Sequence, residues 1–488
     1  MDPTIEAVFY GRHEADPRAL LYFEWRQRLE SGHLVARFES AVRALATADP
    51  ADPEACWALL EEIESAPCDP GWRFEEGESA DVETTGVGSC GEGTAPRRGA
   101  EHSAARTEVG PTSAGAASTG SASLGLTSPG PAASDSAATT FGPDDELLER
   151  IHGGWLGRCV GCTLGKPLEN GFVWTRAHIR TYLERADAYP LTDYVPAVLP
   201  PPFPLNPSWP VSVRGRIDGA PRDDDVDYTV LGLHLLESRG LNFTADDVAN
   251  LWLERLPFLQ TYTAERVAYR NLVDGLHPPA TATVRNPYRE WIGAMIRADI
   301  FGYVNPGDPQ RAATLAAREA AVSHTGNGIY AAMWAAALIA AAFAASSPSA
   351  ALMSAQDVLP PGSRLAVALA EVRADHDHGL SWERAVHNIE TRHGEYNWVH
   401  AIPNACRVAA GLLWGAGDFT RTIALTVQSG ADTDSNGATA GSVAGILVGA
   451  KGIPAHWTDP FHDTLHSAVI GYDGVHISDL ARRTRVLV

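Results

Sequence analysis

The stretch "GADTDSNGATAGSVAGILVGAKGIP", Gly430 to Pro454, holds two patterns that decide how this chain folds. Its second half places a glycine at every fourth position: Gly437, Gly441, Gly445 and Gly449. In a helix interior each glycine costs about 1 kcal/mol relative to alanine. Steps of four keep the glycines on one slowly drifting face, where a second backbone can approach closely. The first half places Asp432, Asp434 and Ser435 at the mouth of that helix. One aspartate there is ordinary N-capping, whereas a second repels the first and needs a partner.

A matching helix lies far upstream. In "GGWLGRCVGCTLGKP" the glycines Gly153, Gly157, Gly161 and Gly165 repeat the same spacing. Arg158 and Lys166 interrupt it, which speaks against a membrane GxxxG pair. Both helices are expected in the packed centre of a domain, holding rigidly whatever sits at their ends. Cys159 and Cys162 form a C-x-x-C inside the first of them, without a second pair to complete a zinc site, and read as small packing residues.

Outward from these helices, residues 142–488 are rich in Ala, Gly and Leu with helical periodicity and read as one large all-α domain. "IYAAMWAAALIAAAFAA", Ile329 to Ala345, is short for a membrane span and reads as a buried helix. The proline-dense segment from Tyr189 to Arg216 reads as a loop whose aromatics line a cleft. Residues 1–76 show apolar residues at helical spacing and Asp-Pro helix starts, and are expected to form a small helical accessory region of unknown partner. Residues 77–141 are Gly, Ser, Ala and Thr with hardly a large apolar side chain, the composition of a disordered linker.

Of 488 residues, 60 are acidic and 38 basic, a net charge of -22 that disfavours direct nucleic-acid binding. The 6 scattered cysteines suit a reducing compartment, and the start lacks the charged and apolar regions of a secretory signal, so a cytoplasmic protein is expected.

A second acidic cluster, Asp223, Asp224, Asp225 and Asp227, opens another amphipathic helix in "PRDDDVDYTVLGLHLLE". Capping explains one aspartate per helix. Three adjacent ones are better explained by a shared hard divalent cation, which takes several carboxylate and hydroxyl oxygens. An EF-hand is excluded, since numbering from Asp432 places Val443 at its bidentate position. The two clusters are therefore expected to face one another across one cleft.

Three segments together resemble the ADP-ribosylglycohydrolase family: "GCTLGKPLE" (Gly161 to Glu169), "DDDV" (Asp223 to Val226), and "GADTDSNGATAGSVAG" followed by "GIP". The family patterns are G-D-x-L-G-x-x-x-E, T-D-D-T and G-D-T-D-[TS]-N. The resemblance implies a compact orthogonal all-α domain with a bimetal centre of two divalent cations, Mg²⁺ or Mn²⁺. It implies metal ligation by Asp223 (in the place of a threonine), Asp224, Asp225, Asp432, Asp434 and Ser435. Glu169 matches the glutamate near the scissile bond and becomes the catalytic candidate. Cys162 stands where the family has aspartate.

The function this implies is hydrolysis of the glycosidic bond at the ribose C1 of an ADP-ribosylated protein or small molecule, releasing ADP-ribose. Such cleavage passes through an oxocarbenium-like state. His324, beside Ser323, and Asn397 and His400 in "HGEYNWVHAIPNA" are candidate substrate-binding residues. Competing classes are a two-metal phosphohydrolase, a nucleoside-type glycosidase acting on a free small molecule, and a silent ADP-ribose-binding protein. Phosphate release, or binding without turnover, distinguishes them.

Overall fold

The structure, a computed structural model, describes Phe9, residues 16–72, Phe74 and residues 145–488. The segment 77–141, expected as a linker, lies outside the described residues. The protein is all-α, and a two-stranded pairing of Thr464–Leu465 with Val475–His476 is the single sheet among the described residues.

Helices α1 (Pro17–Glu30), α2 (Glu39–Ala46) and α3 (Pro53–Glu64) form the N-terminal part. The Asp-Pro starts act as the sequence suggests: Asp16 accepts from the Arg18 amide and Asp52 from the Ala55 amide, with proline in the first turn. Beyond them come α4 (Glu146–Gly165), α5 (Asp224–Arg239), α6 (Thr263–Val273), α7 (Pro309–Ala320), α8 (Gly326–Ala342), α9 (Ala401–Gly415), α10 (Phe419–Gln428) and α11 (Thr433–Val448). Further helices, among them Arg364–Asp377 and Trp382–His393, and loops complete the domain. The alanine-rich α8 is buried along nearly its whole length in the main core, and among the described residues no helix is long and apolar enough to cross a membrane.

The glycine repeats of α4 and α11 meet each other. A Cβ on Gly153 would run into the Gly445 carbonyl, one on Gly157 into that of Gly441, and one on Gly161 into that of Gly437. The same holds in reverse from α11 onto α4. The pairing numbers fall on one helix as they rise on the other, so the helices run antiparallel. The seam departs from the sequence reading at its ends. Gly449 is not a seam residue; it terminates α11 with φ +72°, a conformation that favours glycine. Opposite Gly165 stands Thr433, whose hydroxyl donates to the Gly165 carbonyl at 2.9 Å.

Antiparallel packing brings the C-terminus of α4 to the N-terminus of α11. A third element is fastened there by Arg158, fully buried on α4. Its guanidinium donates to the Asp225 carbonyl at the start of α5 and pairs with Asp299 at 2.8 Å. A buried charge needs such partners.

The N-terminal helices carry a second apolar core that includes Tyr288, Trp291, Ala264 and Val267 of the main domain. Polar bonds accompany it: Glu24 pairs with Arg289 at 2.8 Å, and the Gln27 amide donates to Glu290 at 2.8 Å.

Candidate active site

Where α4 ends and α5 and α11 begin, a cavity of about 520 Å³ opens. Its floor holds Lys166 and Glu169 from the turn after α4, Asp223, Asp224 and Asp225 from the start of α5, and Asp432, Asp434 and Ser435 from the start of α11. The two acidic clusters, some two hundred residues apart in the chain, touch: the Ser435 hydroxyl donates to Asp225 Oδ2 at 3.3 Å. Two helix N-termini thus converge, and their partial positive charge favours carboxylates.

The carboxylates differ in how the chain uses them. Asp223 caps α5, its Oδ1 accepting from the Asp225 amide at 3.0 Å, while its Oδ2 pairs with the Lys166 ammonium. Asp432 occupies the N-cap position of α11 without making a side-chain cap bond. Its backbone amide is held by Asn404 Oδ1 at 3.3 Å, and Asn404 also accepts from Asn436 at 2.7 Å. Asp225 Oδ1 is buried and accepts no hydrogen bond, with Arg158 3.7 Å away. Glu169 Oε2 accepts from Asn206 at 2.8 Å.

So many acids packed into one floor cannot all ionise on their own. Burial first, and then Asp434, pushes the carboxyl groups of Glu169, Asp225 and Asp432 well above the usual range. Burial also raises Asp224, against the pull of Arg222 and Lys166. Lys166 goes the other way. Burial works against its charge, but Cys162, Asp434, Glu169 and Asp224 together hold its pKa above that of an ordinary lysine.

The remaining walls are aromatic and basic. Phe172 and Trp398 meet edge to face at 6.0 Å, and Gly171 leaves room for the Trp398 ring. Phe23 of α1 meets Trp291 edge to face at 5.6 Å, and both line the cavity. Arg222 and Arg266 add positive charge, and Asn206 and Ser208 come from the proline-dense loop. From that loop polar residues and Pro207 line the cavity, rather than the aromatics expected. Glu265 on α6 also reaches the cavity. It shares the buried Arg297 with Glu319, so two carboxylates compete for one guanidinium, and burial lifts Glu265 to about 7.

Of the candidate substrate-binding residues, Asn397 lines the cavity, while His324 and His400 stand behind its wall. Both histidines are fully buried. Ser323 bonds His324 Nδ1 at 2.8 Å, and the Ala294 amide donates to its Nε2 at 3.3 Å. His400 caps α9 through Nδ1, stacks on Tyr396 at 4.2 Å and lies about 4 Å from Glu30 and Glu290. Arg297 is engaged with two buried acids, Glu319 and Glu265. Lys166, Phe23, Glu265, Arg222 and Asn206 line the cavity although no motif of the sequence singles them out as site residues. For Lys166 a signal existed, a charge set on an otherwise uncharged helix end.

A family model described as ADP-ribosylglycohydrolase matches residues 143–487. A solved chain of an ADP-ribosylglycohydrolase-related protein complex is similar at 20% identity, with a TM-score of 0.45, over 70% of this chain and 99% of that one. No curated protein matches. The matched span begins beyond α1–α3, so Phe23 reaches the cavity from outside it.

Proposed function

We propose, for a chain that belongs to the ADP-ribosylglycohydrolase family, that this cavity hydrolyses the glycosidic bond at the ribose C1 of an ADP-ribosylated protein or small molecule and releases ADP-ribose. The observation that carries the reading is Glu169, half-buried, bonded to Asn206 and lining the same cavity as the joined acidic clusters.

The floor suits a hard divalent cation, Mg²⁺ or Mn²⁺. Asp225 Oδ1 is buried without a donor, and Asp432 sits at a cap without capping. Asp224, Asp225, Asp432, Asp434 and Ser435 would hold it. When bound, such an ion supplies positive charge that orients hydroxyls and acidifies water.

The chain's own groups account for the remaining steps. Burial and the neighbouring Asp434 favour the protonated form of Glu169, whose Oε2 accepts from Asn206 at 2.8 Å. A proton on this carboxyl can pass to the leaving group as the C1 bond breaks, the carboxylate left behind stabilises positive charge at the anomeric carbon, and a water that adds at C1 returns its proton to Glu169. The aromatic wall excludes water and offers flat faces to a planar ring. Arg222 and Arg266 draw a diphosphate to the mouth.

The test is ADP-ribose release from a panel of ADP-ribosylated proteins and small molecules, with Mg²⁺ and with chelator. Wild type should release ADP-ribose, and Asp432→Ala or chelation should lower the rate by about 100-fold or more. Full activity in chelator would remove the metal from this reading. Release of phosphate in place of ADP-ribose would make the protein a phosphohydrolase.

A further inference from the structure

Two of the 38 basic residues in the chain are lysines, Lys166 and Lys451. Lys451 is exposed on the surface. Lys166 is buried in the acidic floor. An ammonium is a compact point charge, nearer in shape to a metal ion than the broad guanidinium used elsewhere in this chain.

Its partner is already engaged: Asp223 Oδ2 pairs with Lys166 and Oδ1 accepts from the Asp225 amide, so an ion at Asp223 would have to compete with a resident ammonium. Cys162, Asp223 and Asp225 offer ligand atoms within 4.8 Å of one another. Cys162 gives that trio a soft sulfur donor, and hard divalent ions prefer oxygen. On the other side the donors are oxygen throughout: Asp225 Oδ1 without a hydrogen bond, Asp432 without a cap bond, and Asp434 and Ser435 beside them. The cluster is therefore unequal: Asp223 carries an ion pair with a lysine of the chain, whereas Asp432 and Asp434 form no salt bridge among the described residues.

We propose that the Lys166 ammonium is a built-in cation standing in for one of the two divalent ions the family resemblance implies. The chain then binds a single divalent ion on the Asp225, Asp432 and Asp434 side, and Asp223 is the counter-ion of Lys166 rather than a metal ligand. This rests on the metal-centre reading above.

The test counts ions. Full-length protein equilibrated with Mn²⁺ is examined by native mass spectrometry and by electron paramagnetic resonance. Wild type should carry one ion per chain with the spectrum of an isolated Mn²⁺, and Lys166→Met should carry two with a spin-coupled spectrum. Lys166→Met leaves Asp223 buried without its partner, so the double variant Lys166→Met with Asp223→Thr, which removes both charges, is measured beside it. Two coupled ions in wild type would overturn the inference. So would one ion in wild type and still one in both variants. No ion in wild type would sink the metal-centre reading itself, and the inference with it.

Discussion

The cavity has two opposed walls built by opposite means. On one side α4 and α11 meet at three positions as glycine against backbone carbonyl, and deliver Lys166, Glu169, Asp432 and Asp434 to the floor. On the other side α1 meets the domain through large rings, Phe23 against Tyr288 and Trp291, and delivers one aromatic face. The seam fixes positions because a carbonyl oxygen cannot move aside. The aromatic wall fixes a shape, and rings can repack. The chemistry sits on the wall that cannot adjust, as a site with narrow positional tolerance requires. Of the adjustable wall, Phe23 comes from outside the span that the family model matches, while Tyr288 and Trp291 lie within it.

The sharpest way to break this contrast is to put a side chain into the seam. Gly161→Leu forces a large group against the Gly437 carbonyl, where only backbone could yield. A loss of more than about 4 kcal/mol is expected, enough to abolish the folded protein, read as loss of the cooperative melting transition in scanning calorimetry. The matching change on the other wall is milder and local. Phe23→Ala should cost about 3 kcal/mol of packing. Limited proteolysis should show faster cleavage within residues 16–72, while cleavage within 145–488 stays slow. Equal loss across both regions would mean that the two walls form a single cooperative unit.

A smaller effect sharpens the boundary between them. Glu265 is held at about 7, above its ordinary 4.5, chiefly by burial. A raised carboxyl pKa contributes stability that is whole below the unfolded value and is lost as pH rises through the folded one. Melting temperature should therefore fall between pH 5 and pH 8, and Glu265→Gln should flatten that fall by a few degrees. An unchanged slope in the variant would place the titration elsewhere.

Much of the seam was readable from sequence, because a glycine every fourth residue has few reasons other than a backbone passing close by. The meeting of the two acidic clusters was readable as well, since adjacent aspartates need a partner that neither helix supplies. His324 and His400 show where such reading ends. A histidine among polar residues looks like a ligand in one dimension, yet here Ser323, the Ala294 amide and the Ile402 amide use the rings internally. Phe23 was illegible for a different reason. An apolar position on a helix has the same spacing whether it faces core or cavity, and only the tertiary placement of Trp291 decides.

The seam has a property of a ruler with evenly spaced marks. Sliding α11 along α4 by one repeat of four residues, about 6 Å, would again set glycine against glycine over most of its length. The repeat alone therefore leaves the alignment ambiguous, and stops at its two ends must choose. At one end Thr433 hooks the Gly165 carbonyl. At the other the chain turns at Gly449, and the Lys451 amide is caught by Glu149 at 2.6 Å. Lengthening α11 by four residues would keep its packing surface and carry Asp432 and Asp434 a full turn away from Lys166 and Glu169. The ends of the ruler, more than its marks, set the distance across which the site works.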